Sequence, residues 1–178
     1  MHGQVLRFWF EETDARLWFA SDPAFDARIR ARFAGLLRQA AAGELYGWRA
    51  TAAGRLAEII VLDQFSRNAY RDTPRAFAQD AMALVLAQEA VAGGALEALA
   101  PVQRSFLLLP YMHSESRAIH VVAEALYRAH APAENLDFEL RHRAIIDRFG
   151  RYPHRNALLG RTSTPEELEF LTQTGSRF

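Results

Sequence analysis

The chain of 178 residues has no net charge at neutral pH, because 21 arginines balance 21 acidic side chains and lysine is absent. This balance gives no electrostatic basis for binding nucleic acid or an anionic membrane, so neither is expected as a partner. Cysteine is also absent, which excludes disulfides, thiolate nucleophiles and cysteine-bound zinc.

The N-terminal segment is apolar only in short patches, which Arg7, Glu11 and Glu12 interrupt. A secretory signal peptide needs a longer uncharged run. No stretch reaches the ~20 consecutive apolar residues that a helix needs to cross a bilayer. We therefore expect a cytoplasmic protein.

Helix signals begin early in the chain, and no segment sustains the alternation typical of a strand. Asp22 before Pro23 predicts an N-cap and a helix that runs to about Gly43. Thr51 predicts the start of the next helix. Thr73, followed by a proline, predicts the start of another, which Gly93 and Gly94 end.

The second half of the chain repeats these signals. A helix starting at Pro101 should end or kink at Pro110, which cannot donate a backbone hydrogen bond. Ser114 or Ser116 predicts the start of a long helix to about position 131. Another helix is predicted over 134–149, closed by Gly150, and a capping box over 164–167 predicts a short last helix. Because the connections are short, neighbouring helices should pack antiparallel in a single all-α domain over residues 1–178.

An aspartate and an arginine continue the apolar face of the helix that follows Thr51. Asp63 and Arg67 lie three and seven residues beyond Ile60, so both share its face and can pair with each other. A charge in line with the core needs a partner, because burying it alone is costly. The pair is consistent with a structural bridge between helices and with one wall of a polar pocket.

A histidine and a glutamate lie two residues apart in the segment PYMHSES (110–116). His113 follows the Pro110 position, and Glu115 falls on the predicted buried face of the next helix. The two are candidates for an acid–base pair. His113 is equally consistent with a core histidine. The spacing supports a metal only weakly, so no metal site is assigned and no cofactor is identified.

Two further helices carry polar residues in regular register. His142 shares a stripe with Glu139 and Ile146, which predicts that it points inward. His120, Arg117 and Glu124 form a different stripe, which we interpret as a solvent-facing surface.

The segment RFGRYPHRNALLGR (148–161) is dense in hydrogen-bonding groups. Gly150 and Pro153 force a bend between them. Arg151, His154, Arg155 and Asn156 surround this bend, where free backbone N–H groups and guanidinium groups could bind an anion. The same side chains could instead cap the preceding helix and tie the bend together.

Three motifs in this order resemble the bacterial DUF924 family: LDQFSRNAYRDTPRAFAQD (62–80), LPYMHSE (109–115) and FGRYPHRNALLGRTSTPEE (149–167). The resemblance implies an all-helical, TPR-like right-handed superhelix of antiparallel pairs, with about eight or nine helices. It implies no function. Three positions depart from the family pattern, with Ser66 in place of proline, Asp72 in place of glycine and His120 in place of glutamine.

We hypothesise that the fold gathers the polar residues of the three motifs and His142 into one cleft. In this hypothesis His113 and Glu115 are catalytic. The ligand-binding residues are Asp63, Arg67, His142, Arg151, His154, Arg155 and Asn156. The expected ligand is a small anionic molecule, and hydrolysis or proton transfer is the simplest reaction for this set. No nucleophile or phosphate-loop motif is present.

The alternative is a TPR-like scaffold that binds a protein or peptide partner in a concave groove. In that case the polar motifs are structural networks at the helix junctions, and exposed aromatic residues are the anchors. A pocket requires an enclosed site with perturbed ionisable groups, whereas a structural network requires charges that are paired with each other.

Overall fold

The computed structural model describes residues 1–176, which form α-helices joined by turns and short helical segments, with no β-strand among them. The α-helices are α1 His2–Arg7, α2 Pro23–Ala41, α3 Ala52–Ile60, α4 Ser66–Ala69, α5 Asp80–Ala92, α6 Pro101–Met112, α7 Arg117–His130, α8 Ala133–Phe149 and α9 Pro165–Phe170. The prediction of an all-α fold is confirmed. The TPR-like superhelix stays a prediction.

Three predicted helix starts are confirmed by their capping bonds. The Asp22 carboxylate accepts the Phe25 N–H at 2.8 Å, so α2 begins where the Asp-Pro pair predicts. The Thr51 hydroxyl accepts the Gly54 N–H at 3.1 Å at the start of α3. The capping box at Thr164 begins α9. Each cap supplies an acceptor for an N–H that has no partner inside its helix.

The predicted helix start at Thr73 is wrong. Pro74–Ala76 forms only a short 3₁₀ turn, and α5 begins at Asp80. The reason is local, because the Thr73 hydroxyl donates to the Tyr70 carbonyl at 2.7 Å instead of capping a helix. Asp72 has a φ of 59°, a left-handed backbone conformation that glycine adopts at lower cost than aspartate.

The alternative in which Pro110 ends α6 is also wrong, because the helix continues through it to Met112. Pro110 is buried with the residues around it, so packing holds the turn that lacks one hydrogen bond. His113 is therefore placed at the C-terminus of α6, immediately before the turn into α7.

The hydrophobic core joins the N-terminal aromatic residues to the central helices. Phe8 packs edge-on against Phe33 at 4.9 Å between ring centroids, and Phe65 lies 4.7 Å from Phe33. Trp9 is fully buried and packs in the same core. The helices α6 and α7 supply further residues of this core, and α8 packs against both of them. None of the helices formed by residues 1–176 combines the length and apolar character that a membrane span requires.

Candidate functional site

A π-helical turn over Val61–Phe65 places Asp63 inside the protein. Such wide turns inside a helix change the direction of the side chains that follow. Asp63 is fully buried and accepts hydrogen bonds from the Gln64 amide at 2.6 Å and from His113 Nδ1 at 2.7 Å. It also pairs with Arg67 at 3.0 Å, which confirms the pairing predicted from the four-residue spacing.

His113 faces Asp63 from the end of α6, and its side chain is 15% exposed. The contact with the Asp63 carboxylate places the proton on Nδ1, which leaves the lone pair on Nε2. Among residues 1–176 no group forms a hydrogen bond with Nε2. Burial lowers the pKa of His113, Arg67 lowers it further, and Asp63 opposes both effects. The net lowering keeps the imidazole neutral at neutral pH.

Two arginines converge on the carboxylate of Asp80. Arg67 donates to its two oxygens at 2.9 and 3.0 Å, and Arg155 donates to one of them at 3.2 Å. Both guanidinium groups lie near the Phe77 ring, at 5.7 and 4.8 Å from its centroid. Arg155 also donates to the His113 carbonyl at 3.0 Å, which connects this pair to the histidine.

Glu115 belongs to a second network, which is closed by Arg161. The guanidinium of Arg161 donates to both carboxylate oxygens at 2.5 and 2.9 Å, and the Tyr152 N–H donates at 2.7 Å. Burial raises the pKa of Glu115, but these hydrogen bonds outweigh burial and hold it below its usual value. The carboxylate is therefore ionised at neutral pH and fixes the backbone of the bend.

The same network continues through Asn156 to the last helix. Arg161 donates to the Asn156 oxygen at 2.9 Å, and the Asn156 amide donates to Glu167 at 3.2 Å. Arg151 donates to Glu167 at 2.6 and 2.8 Å. These hydrogen bonds lower the pKa of Glu167 to about 2. Asn156 thus ties the bend together, as one interpretation of this segment predicts, whereas Arg151 binds the start of α9 instead of the carbonyl groups that end α8.

Tyr152 connects the two networks. Its ring lies 4.5 Å below the Arg155 guanidinium, while its N–H binds Glu115. The rings of His142 and His154 lie 5.8 and 5.7 Å from the Tyr152 ring. Burial lowers the pKa values of both histidines to about 3, so both are neutral at neutral pH. The inward orientation predicted for His142 is confirmed.

His120 does not lie on a solvent-facing surface, so that prediction is wrong. It is fully buried, with Nδ1 at 2.7 Å from Glu139 and Nε2 at 2.8 Å from the Ser114 carbonyl. The reason is that α8 packs against α7 and covers this face of the helix. The partner residue Glu139 is also fully buried.

The structure therefore joins all nine predicted site residues through one continuous set of contacts around Tyr152. Four residues that hold this set together are not among the predicted site residues, namely Asp80, Tyr152, Arg161 and Glu167, of which only Glu167 has a predicted role, in the capping box of α9. Each of the four lies inside a quoted motif, so position in the motif was the available signal. Their pairing partners depend on the packing of distant segments and could not be read from spacing.

Two surface grooves lie outside these networks. One, of about 290 Å³, is lined by Trp18, Phe19, Phe106, Phe138 and neighbouring residues. The other, of about 450 Å³, lies between α7 and α8 and includes Glu124, Arg128 and Arg143.

Residues 5–175 match the model of a family described as bacterial proteins of unknown function, DUF924. The chain is also similar to a solved structure of the protein of unknown function ATU0120 from Agrobacterium tumefaciens. The two are 37% identical over 96% of each chain, with a TM-score of 0.91. No curated protein matches the chain.

Proposed function

This chain belongs to the DUF924 family, and because the function of that family is unknown, we propose a function from the site itself. The protein binds a small anionic molecule and transfers a proton to or from it through His113. The observation that carries this proposal is the hydrogen bond between His113 Nδ1 and the fully buried Asp63 carboxylate.

The pairing gives His113 the properties of a general base. A buried carboxylate on Nδ1 fixes the tautomer, orients the ring and stabilises the imidazolium that forms when Nε2 takes a proton. The lowered pKa keeps the base form available at neutral pH. Its side chain is 15% exposed, and the proposal requires that a substrate reach the imidazole through this exposed part. Proton transfer or the activation of water for hydrolysis is the reaction class that this group supports.

The arginines beside His113 supply the binding group. Arg67 and Arg155 approach each other over Phe77, and planar guanidinium forks are suited to carboxylates and phosphates. His142 and His154 complete the surroundings as neutral groups near Tyr152. In this proposal Arg151 and Asn156 do not contact the ligand. They position Arg155, because they hold the bend that carries it.

The contacts favour Asp63 over Glu115 as the partner of His113. The Glu115 carboxylate is engaged by Arg161 and by the Tyr152 N–H, so its contacts position the 150–161 segment. A catalytic role for Glu115 stays a prediction. The proposal gives it a positioning role.

A second candidate function is a scaffold that binds a peptide. Phe19 is 70% exposed and stacks on the buried Phe106, and Phe138 is half exposed beside the same groove. In this case the paired arginines and carboxylates serve only to fix the helix junctions. A peptide would then contact the aromatic groove and leave His113 untouched.

The test is a thermal-shift titration of the full chain with inorganic phosphate, acetate, succinate and sugar phosphates at fixed pH and ionic strength. A specific anion at ~100 times its dissociation constant adds about 2.7 kcal/mol to the free energy of unfolding. We expect a shift in the wild type that Arg155→Gln abolishes. The matched control Arg128→Gln alters an arginine on the outer face of α7 and should retain it.

His113→Gln separates binding from chemistry. If the proposal is right, this variant still binds the anion, and any turnover found with that ligand is lost. An absence of any anion-induced shift in the wild type, or a shift that persists in Arg155→Gln, would contradict the proposal.

A further inference from the structure

We propose that the Asp80 carboxylate occupies the place of a ligand carboxylate, and that the ligand is a small carboxylic acid anion that displaces it. This inference rests on the proposed function and names the ligand class. Asp80 would then be an internal competitor that sets which anions can enter.

The geometry around Asp80 is that of carboxylate recognition. Arg67 donates one hydrogen bond to each carboxylate oxygen, at 2.9 and 3.0 Å, and Arg155 adds a third at 3.2 Å. Two parallel bonds from one guanidinium match the spacing of the two oxygens of a carboxylate. A free carboxylate of similar size can make the same three contacts when Asp80 leaves.

The charges near His113 indicate why Asp80 must leave. Arg67 and Arg155 supply two positive charges, and Asp63 and Asp80 supply two negative charges, while His113 is neutral. An added anion would therefore leave this half-buried group with an uncompensated negative charge, which is costly. Exchange of Asp80 for the ligand keeps the charges balanced.

Asp80 is also placed where it can leave at low cost. Its side chain is 20% exposed, whereas that of Asp63, the other aspartate bound by Arg67, is fully buried. It is the first residue of α5, so a carboxylate turned towards solvent remains near the positive end of the helix dipole. The 3₁₀ turn Pro74–Ala76 and the irregular residues 77–79 connect α4 to α5, and the backbone of this connection would have to shift when Asp80 turns outward.

The ligand would lie near the proposed base. Asp63 contacts both Arg67, at 3.0 Å, and His113, at 2.7 Å. A carboxylate bound by Arg67 is therefore linked to the imidazole through Asp63. Arg155 Nε is buried and has no hydrogen-bond partner among residues 1–176. The bond from Arg155 to Asp80 therefore leaves this N–H donor of the guanidinium group unused. A carboxylic acid with a second acceptor next to its carboxylate can satisfy such a donor.

The experiment measures acetate binding by isothermal titration to the full chain and compares it with chloride at the same ionic strength. The test variant is Asp80→Asn, which keeps the size of the side chain and removes its charge. We expect its dissociation constant for acetate to fall at least about tenfold, because a competing charge has been removed. The matched control is Asp26→Asn. It removes a different buried carboxylate, which pairs with Arg71 and not with Arg67 or Arg155, and it should leave acetate binding unchanged.

A second variant covers the case in which loss of Asp80 mainly destabilises the protein. In Asp80→Ala, acetate should restore a large part of the lost thermal stability, while equal chloride should not. Adding Arg67→Gln to this variant should abolish the rescue. If acetate neither binds Asp80→Asn more tightly nor rescues Asp80→Ala, Asp80 is only a structural counter-ion and the inference is wrong.

The two proposals fail in different ways. Should wild-type protein bind an anion through Arg155 while Asp80→Asn gains no affinity for acetate, the proposed function stands and the displacement of Asp80 is overturned. Should neither the wild type nor any Asp80 variant bind an anion, both proposals are overturned.

Discussion

His113 and Asp63 are 50 residues apart in the chain, yet His113 Nδ1 lies 2.7 Å from an Asp63 carboxylate oxygen. The contact depends on the π-helical turn that directs Asp63 inward and on α6, which continues past Pro110 to deliver His113. Because Arg67 contacts the same oxygen at 3.0 Å, the pKa of His113 reflects two opposed charges.

Replacing Asp63 by asparagine should lower the pKa of His113 further. The substitution removes the negative charge that favours the imidazolium, whereas burial and Arg67, which disfavour it, remain. Titration of the His113 ring signals by NMR would measure the change. The matched control is Asp14→Asn at the exposed pair with Arg16, which should leave the His113 titration as it is in the wild type. A His113 pKa that stays constant or rises in Asp63→Asn would exclude Asp63 as its electrostatic partner.

The stability of the protein should fall between pH 7 and pH 5, before most carboxylates take up protons. His142 and His154 have folded-state pKa values of about 3, against about 6.5 in an unfolded chain. In this range the unfolded chain binds more protons, so acid favours unfolding. Each histidine contributes a slope of up to about 1.4 kcal/mol per pH unit. Urea unfolding at pH 5, 6 and 7 would measure it.

The variant His142→Asn should reduce this slope, because the unfolded chain then has one fewer group to protonate. His130→Asn, at the end of α7, is the comparison that should retain the slope. A free energy of unfolding that is constant from pH 7 to pH 5 would contradict the assignment of buried, neutral histidines.

Glu115→Ala should release the bend that carries Arg155. The Tyr152 N–H would lose the acceptor at 2.7 Å, and Arg161 would lose the carboxylate that it pairs with. We expect a loss of about 2–3 kcal/mol in the free energy of unfolding and faster hydrogen exchange at the Tyr152 amide. Glu166→Ala, at the exposed pair with Arg148, is the control and should leave that amide protected. Unchanged exchange at Tyr152 in Glu115→Ala would show that the bend does not depend on this carboxylate.

Two glycines in helices should respond to alanine in opposite ways. A Cβ at Gly54 would lie 2.0 Å from the Trp48 carbonyl oxygen, so the backbone must shift, at a cost of about 2–4 kcal/mol. A Cβ at Gly35 meets only the end of the Arg38 side chain at 3.9 Å. Gly35→Ala should therefore stabilise α2 by about 0.5–1 kcal/mol, as expected inside a helix. Chemical denaturation would measure the free energy of unfolding of the two variants. Equal values would contradict the close packing of Trp48 on α3.

The sequence alone determined the helical class and most helix ends, because these depend on residues that are near each other in the chain. Asp22, Thr51 and Thr164 each cap a helix by accepting a hydrogen bond from the N–H group three residues further on, and these starts could be read from spacing. The Asp63–Arg67 pair was predictable for the same reason, since four residues make one helical turn.

The tertiary structure alone decided which charges from distant parts of the chain meet. Asp80 receives Arg67 and Arg155 from segments 13 and 75 residues away, and Glu115 receives Arg161 from 46 residues away. His120 was predicted to face solvent because its stripe is polar, and only the packing of α8 against α7 shows that Glu139 buries it. Periodicity gives the face of a helix on which a side chain lies, whereas its partner is set by whichever distant segment covers that face.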